Sequence, residues 1–310
     1  MISDFFLVNN ESIFQIKSPV GTALEDFRRN SIEMIMFNVG EGEAILVKTR
    51  ERAILVDGGA EVKKQNTELG LAIRKFLLDN NIKLTDIVPS HNHVDHLNAV
   101  STILQNPIDD LLADNVVFYH NGEVMPKGIQ ETMMSRINQL DQIRKQHVSE
   151  FLEIDWFGQQ KITMFTGGRF KPRPAYKSIF MHIPFRGATF LLTGDAYIRY
   201  EEEFIEDDRK RSFLAADVLK ITHHGSEDGT GKEFLDHVRP AIAVSSSTAD
   251  PHHRLEQKVK DRLALHGTAI FDTHVNDNII IRTDGYEWES DGDFGILYEV
   301  ETANPGIFNI

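Results

Sequence analysis

The chain contains no cysteine. That absence excludes disulfides and thiolate metal sites, and it removes a cysteine nucleophile. Any metal must be held by His, Asp or Glu. Long apolar runs are missing too: AILV and TFLL are among the longest, far too short to span a bilayer. The opening MISDFFLVNNESIFQ has no basic region leading into an apolar stretch, so it does not read as a secretory signal. Basic charge is in deficit, with 33 Lys and Arg against 47 Asp and Glu, a formal net charge of −14. A surface of that sign repels phosphate backbones in general. These absences describe a soluble, cytoplasmic protein with no membrane partner.

What is present is ordinary for a globular chain. The 310 residues are 41% hydrophobic and 26% charged, enough for a large buried core. Residues 1–31 are weakly patterned and read as an N-terminal extension. EMIMFNVG, EAILVKT and RAILVDGG follow, rich in Ile, Val, Leu and Phe, and read as strands of a meander. Thr67 to Asn81 carries Leu69, Ile73, Phe76 and Leu77 at helical spacing behind a Thr cap. TDIVPS reads as a short strand, HLNAVSTILQ as the entry to a helix, and Gly128 to Glu150 as one long helix. The second half repeats the alternation: KITMFT, KSIFMHI, ATFLLTG, ADVLKIT, PAIAVSSS and DNIIIRTDG as strands. AYIRYEEEFIEDD, GKEFLDHV and RLEQKVKDRLALHG read as the helices between them, and FGILYEV as a strand within the tail. Two mixed halves of this kind imply a layered α/β domain over residues 32–285, with 286–310 as a C-terminal strand and tail packed on it.

The chemistry concentrates in SHNHVDH. His91 and His93 alternate as the chain leaves a strand, so both can point the same way, and Asp95 and His96 follow at once. Converging imidazoles and a carboxylate suit Zn, Mn or Fe, and burying them unpaired would be costly. Asp57 ends the strand before Gly58 and Gly59, Asp195 ends FLLTGD, and His223 and His224 end LKITHHGS. Each alone reads as a turn former or cap. Together they place ligand types at successive strand ends, where sites of layered α/β proteins assemble. Ser245, Ser246, Ser247 and His252 lie on a later strand end and could contact the non-reacting part of a substrate, or form a polar turn. GGRFKPRPAYK, against the overall charge, holds Arg169, Lys171, Arg173 and Lys177 without an acid. It reads as a solvated loop or as a clamp for an anionic substrate. His253 and His266 read as surface residues, and His237 as a helix-dipole partner.

The order VDGG, SHNHVDH, LLTGD, THHGS resembles the metallo-β-lactamase fold superfamily. It is most similar to the metallo-hydrolase domain of the competence DNA-uptake protein ComEC, through MFNVGEGEAILV, HHGS, the Ser-rich strand end and DPHH. The resemblance spans roughly residues 32 to 285. It implies an αββα sandwich with a dinuclear site at one edge of the sheets. By position, it implies that His91 and His93 hold one divalent ion, Asp95 and His96 a second, and that Asp195 bridges them. One of His223 and His224 completes the set, and Asp57 orients ligands from behind. Two ions, Zn2+ or Mn2+, would generate hydroxide from a bridging water, with Asp95 orienting it or taking a proton. The chain departs from many members of the superfamily in two ways. It has no motif-borne histidine between SHNHVDH and Asp195, where His120, His147 and His182 are the candidates, and Asn98 stands where glycine is common.

The reading that follows is a metal-dependent phosphodiesterase or nuclease acting on DNA or RNA. A hydrolase of a small anionic phosphodiester, ester, amide or lactone is the alternative that the acidic charge favours. A third is an interaction component of a multi-protein system with a structural metal site, docked through EEEFIEDDRK or the N-terminal segment.

Overall fold

The structure, a computed structural model, describes residues 2–9, 13–19, 21–60, 63–122, 128–167, 177–250 and 253–302. Two sheets face each other. Among the described residues the larger has 11 strands. Its path runs Ile13–Ile16, Ile2–Val8, Asp293–Thr302, Ile279–Thr283, Ile32–Met36, Gly42–Lys48, Ala53–Ala60, Leu84–Val88, Leu112–His120 and Ile143–His147, with Glu287–Ser290 branching from Asp293–Thr302. The smaller has seven: Ala269–Asp272, Ile242–Ser245, Val218–Lys220, Ala188–Leu192, Phe180–Phe185, Gln160–Phe165 and Phe151–Phe157.

Strand alternation decides the layering. Met34 and Met36 face inward to meet Met164, Met181, Phe190 and Val244 of the other sheet. Their neighbours Ile35 and Phe37 face outward, onto Leu69, Ile73 and Leu77 of the Lys63–Asp79 helix. The outer face of the second sheet packs Phe180, Leu191 and Leu219 against Tyr200, Phe204, Phe234 and Leu263 from three helices. The result is the αββα sandwich.

Four strands of each sheet run parallel: Ala53–Ala60 through Ile143–His147 in one, Ala188–Leu192 through Ala269–Asp272 in the other. Their carboxyl ends carry the polar motifs picked out in the sequence.

Three local expectations change. Gly128 to Glu150 is not one helix. The helix is Ile129–Gln139, Leu140 turns extended, and Ile143–His147 becomes a strand parallel to Leu112–His120. The backbone of IRKQH is satisfied by an edge-strand ladder, which its polar side chains tolerate. The helix expected from Thr67 begins at Lys63, so Thr67 is not its cap. HLNAVSTILQ forms two short helices, Val94–Leu97 and Val100–Ile103. The weakly patterned N-terminal segment supplies Ile2–Val8, which pairs over seven residues with Asp293–Thr302. Its helix Thr22–Asn30 buries Phe27 against Trp288.

Candidate metal centre

The loop after Leu84–Val88 delivers the first candidate donors because Gly58 and Gly59 let it approach. A Cβ on Gly59 would lie 2.5 Å from the Asp95 carbonyl carbon and 2.7 Å from the His96 nitrogen. Glycine here lets Val94–Leu97 start against the Ala53–Ala60 strand. Gly58 accepts the Ala99 N–H at 2.8 Å, which ties the second turn down. Asp57, at φ 58°, turns its carboxylate under the loop. Its Oδ1 accepts from the Ser90 N–H at 2.7 Å, and its Oδ2 accepts from His96 Nδ1–H at 2.9 Å.

From the second sheet, Gly194 at φ 54° makes the turn that brings in Asp195, whose N–H donates to Ser178 Oγ at 3.0 Å. His223 and His224 both adopt left-handed backbone, φ 48° and 52°, a strain of about 1–3 kcal/mol each. That turn separates the two. His224 Nδ1–H donates to the Ser246 carbonyl at 3.1 Å, which turns Nε2 toward the cluster. His223 is partly exposed and bonds Asp228 at 2.9 Å.

Three of the four motifs converge on one atom, and Asp57 backs His96 from behind. Asp195 Oδ2 lies 3.1 Å from His96 Nε2, 3.4 Å from His224 Nε2 and 3.7 Å from His91 Nε2. Asp95 Oδ2 sits 3.5 Å from His96 Nε2 and 3.6 Å from His224 Nε2. His93 stacks edge-on to His91 with ring centroids 4.5 Å apart. Two donor groups result, sharing Asp195: His91 with His93, and Asp95 with His96 and His224. His91 Nε2, His224 Nε2 and Asp195 Oδ1 are buried and make no hydrogen bond. Imidazole lone pairs aimed at a carboxylate oxygen repel it unless a cation stands between them. The donor set therefore fits divalent metal ions.

The electrostatics agree. Burial opposes charging His96, yet Asp195, Asp57 and Asp95 hold its pKa well above the ordinary imidazole value. Burial likewise opposes charging His224, and Asp195 carries it up to about 9. His91, desolvated and beside His96, is held well below its usual value and stays neutral. Burial works against Asp195 ionising, but His224 and His96 keep it well below the carboxylate range; His96 and His224 do the same for Asp95. A metal would take the place of the protons these carboxylates retain on His96 and His224.

A sequence model described as the metallo-beta-lactamase superfamily matches residues 38–246. The chain belongs to the metallo-β-lactamase superfamily. It thereby joins a superfamily of metal-dependent hydrolases. Its sequence is 25% identical to ComE operon protein 3 of Bacillus subtilis over 268 residues, 81% of this chain and 33% of that protein. It is 24% identical to recombination protein 2 of Haemophilus influenzae over 282 residues, 88% of this chain and 32% of that protein. The chain thus spans about a third of the length of these relatives. Among solved structures it is similar to the metallo-β-lactamase fold protein YhfI from Bacillus subtilis. The TM-score there is 0.52 at 12% identity, covering 81% of this chain and 99% of that one.

Other expected residues are placed elsewhere. Ser245 and Ser247 are buried, and their hydroxyls donate inward, to the His224 carbonyl at 2.9 Å and to Asp272 Oδ1 at 2.6 Å. Ser245 braces the His224 turn, Ser247 ties down Asp272, and neither presents a free hydroxyl to a substrate. The Ser246 hydroxyl is likewise committed, to the Gly42 carbonyl at 2.7 Å. His120 and His147 stack on each other at 5.3 Å and are not in the cluster. His182 lies on the second sheet beside Phe213. His253 forms an ion pair with Glu41. Arg169, Lys171 and His252 fall outside the described residues. Sequence reasoning missed Glu43 and Lys220, buried directly under the cluster. The signal was a lysine at an inward position of VLK, where alternation calls for an apolar side chain.

Proposed function

We propose that this chain is a two-metal phosphodiesterase whose substrate is DNA or RNA, with Zn2+ or Mn2+ as its ions. The observation that carries the reading is the convergence of three imidazole nitrogens on Asp195 Oδ2, with Asp95 completing the second donor group. His91, His93 and Asp195 would hold one ion. Asp95, His96, His224 and Asp195 would hold the other. When bound, such ions supply Lewis acidity and a nucleophile at neutral pH by acidifying water.

The protein's own groups do the rest. Asp57 and the Ser246 carbonyl accept hydrogen bonds from the Nδ1–H groups of His96 and His224, turning both Nε2 atoms inward. Ser90 Oγ, 3.0 Å from His91 Nδ1, orients the third ring. Asp95, less buried than Asp195, stands where it can orient an attacking water or receive its proton.

Nucleic acid is favoured as substrate by the relative named as a recombination protein. No described helix is long and apolar enough to cross a membrane, and we place the chain in the cytoplasm, with room for protein partners in a larger system. The net charge of −14 favours a second reading, a small anionic phosphodiester or ester.

The deciding experiment incubates end-labelled single- and double-stranded DNA and RNA with Mn2+ or Zn2+. The wild type is expected to cut at least one polymer. Asp195→Ala, which removes the shared ligand, is expected to lose both ions and at least 1,000-fold of the rate, about 4 kcal/mol, while keeping its fold. Full activity in that variant rules out the two-ion site. A metal-loaded, folded wild type that cuts no polymer but cleaves bis(4-nitrophenyl) phosphate selects the small-substrate reading.

A further inference from the structure

Directly beneath the cluster, where the core should be apolar, the two sheets are joined by a charged pair. On Val218–Lys220, Val218 enters the core between the sheets and Leu219 enters the outer core, so Lys220 points inward. Glu43 meets it from the opposite sheet, just before the register shift that precedes Ile45. Both side chains are closed off from solvent, at 0% and 1% exposure, with Lys220 Nζ 2.5 Å from Glu43 Oε2. A pair this deeply buried loses its hydration, and two well-packed apolar side chains would serve the fold as well or better.

The other contacts of Lys220 point upward into the site. Nζ donates to the Gly194 carbonyl at 2.9 Å, holding the turn that presents Asp195. It lies 3.7 Å from Asp195 Oδ1, the oxygen that makes no hydrogen bond. The Lys220 carbonyl accepts from Thr193 Oγ1 at 2.8 Å, locking the same turn from the neighbouring strand. The carboxylate of Asp195 is thus divided: Oδ1 faces the ammonium below, and Oδ2 faces three imidazoles above. The group of Glu43, Asp57 and His96 could itself receive a cation. The ammonium of Lys220 already lies against Glu43.

We propose that Lys220, charge-balanced by Glu43, is a positioning residue for the metal centre: it holds Asp195 Oδ1 on the core side and so fixes Oδ2 as the shared ligand. This rests on the two-ion reading above. Without Lys220 the Asp195 carboxylate is free to rotate, and the Gly194 turn loses its anchor.

The test is a calorimetric titration of metal-free protein with Mn2+, paired with the visible spectrum of the Co2+-loaded form and the thermal midpoint of the metal-free form. The key variant is Lys220→Met with Glu43→Gln, which removes both charges together and leaves no unpaired ion. Wild type is expected to take up two ions. The double variant is expected to keep its metal-free midpoint, bind the second ion at least tenfold more weakly, and show an altered Co2+ spectrum. Unchanged affinity and spectrum overturn the inference while the two-ion reading stands, and a lowered midpoint with unchanged affinity overturns it in favour of a purely structural pair. Fewer than two ions on the wild type overturns the two-ion reading and this inference with it. Should the double variant fail to fold, Glu43→Asp withdraws the carboxylate by one methylene and keeps the charge. A smaller weakening in the same direction supports the positioning role, and none overturns it.

Discussion

At the scale of single residues, orientation matters more than identity. Asp57 lies behind His96 and bonds its Nδ1, which turns Nε2 toward Asp195. Asp57→Asn keeps the shape but can offer an N–H in place of an acceptor. It is expected to weaken metal binding about 10- to 100-fold with little change in fold. Metal content after dialysis reads this directly, and wild-type affinity would show that the orientation of His96 does not need Asp57. His182 makes a separate prediction about pH. Burial pushes its pKa down to about 4, against a hydrogen bond with the Ala215 backbone. The unfolded chain takes up that proton near pH 6.5 and the native state does not until about pH 4. Its contribution to stability is therefore complete above about pH 6.5 and is lost as pH falls toward about 4. His182→Gln is expected to reduce the stability difference between pH 7 and pH 4.5 by about 2 kcal/mol. Urea unfolding at the two pH values gives the number, and an undiminished difference would refute it.

At the scale of elements, short ones carry the site and long ones carry the fold. Val94–Leu97 and the His223–His224 turn are each one turn long, too short to be stable alone. The first is held by its contact with Gly59, the second by the Ser245 hydroxyl on the His224 carbonyl. The terminal strands contribute differently. Ile2–Val8 covers the edge of Asp293–Thr302, and Phe5, Leu7 and Phe27 close a small core with Leu297. Burying three such side chains is worth about 1.5–3 kcal/mol each, a sum comparable with the net stability of a domain. A chain starting at Ser31 is expected to aggregate or to lose more than about 10 °C of thermal midpoint. An unchanged midpoint would make the N-terminal strand dispensable.

At the scale of the whole molecule, net charge and local charge oppose each other. The chain carries −14, yet Arg169, Lys171, Arg173 and Lys177 stand together in sequence. If this stretch binds a phosphate chain, Arg169→Gln with Lys171→Gln should weaken nucleic-acid binding and reduce the salt slope by about two. Mobility shifts from low to high salt decide it, and an unchanged slope returns the stretch to a solvated loop. Much of the molecule was legible in its residues. Short apolar runs such as EMIMF and ATFLL mark strands, and H-x-H-x-D-H after an apolar strand marks metal chemistry, because both signals are local. Ile143–His147 was not legible, because its polar residues become a strand only beside Leu112–His120. Nor were Ser245 and Ser247, whose chemistry suits a substrate equally well until burial commits them inward. Residue order alone carries the candidate donor types, their succession along the chain and the strand ends that bear them. That His224, not His223, faces Asp195, and that Lys220 meets Glu43 beneath it, emerges from the folded chain. Such choices depend on backbone turns and on contacts between strands far apart in the chain, and neither is written in any local run of residues.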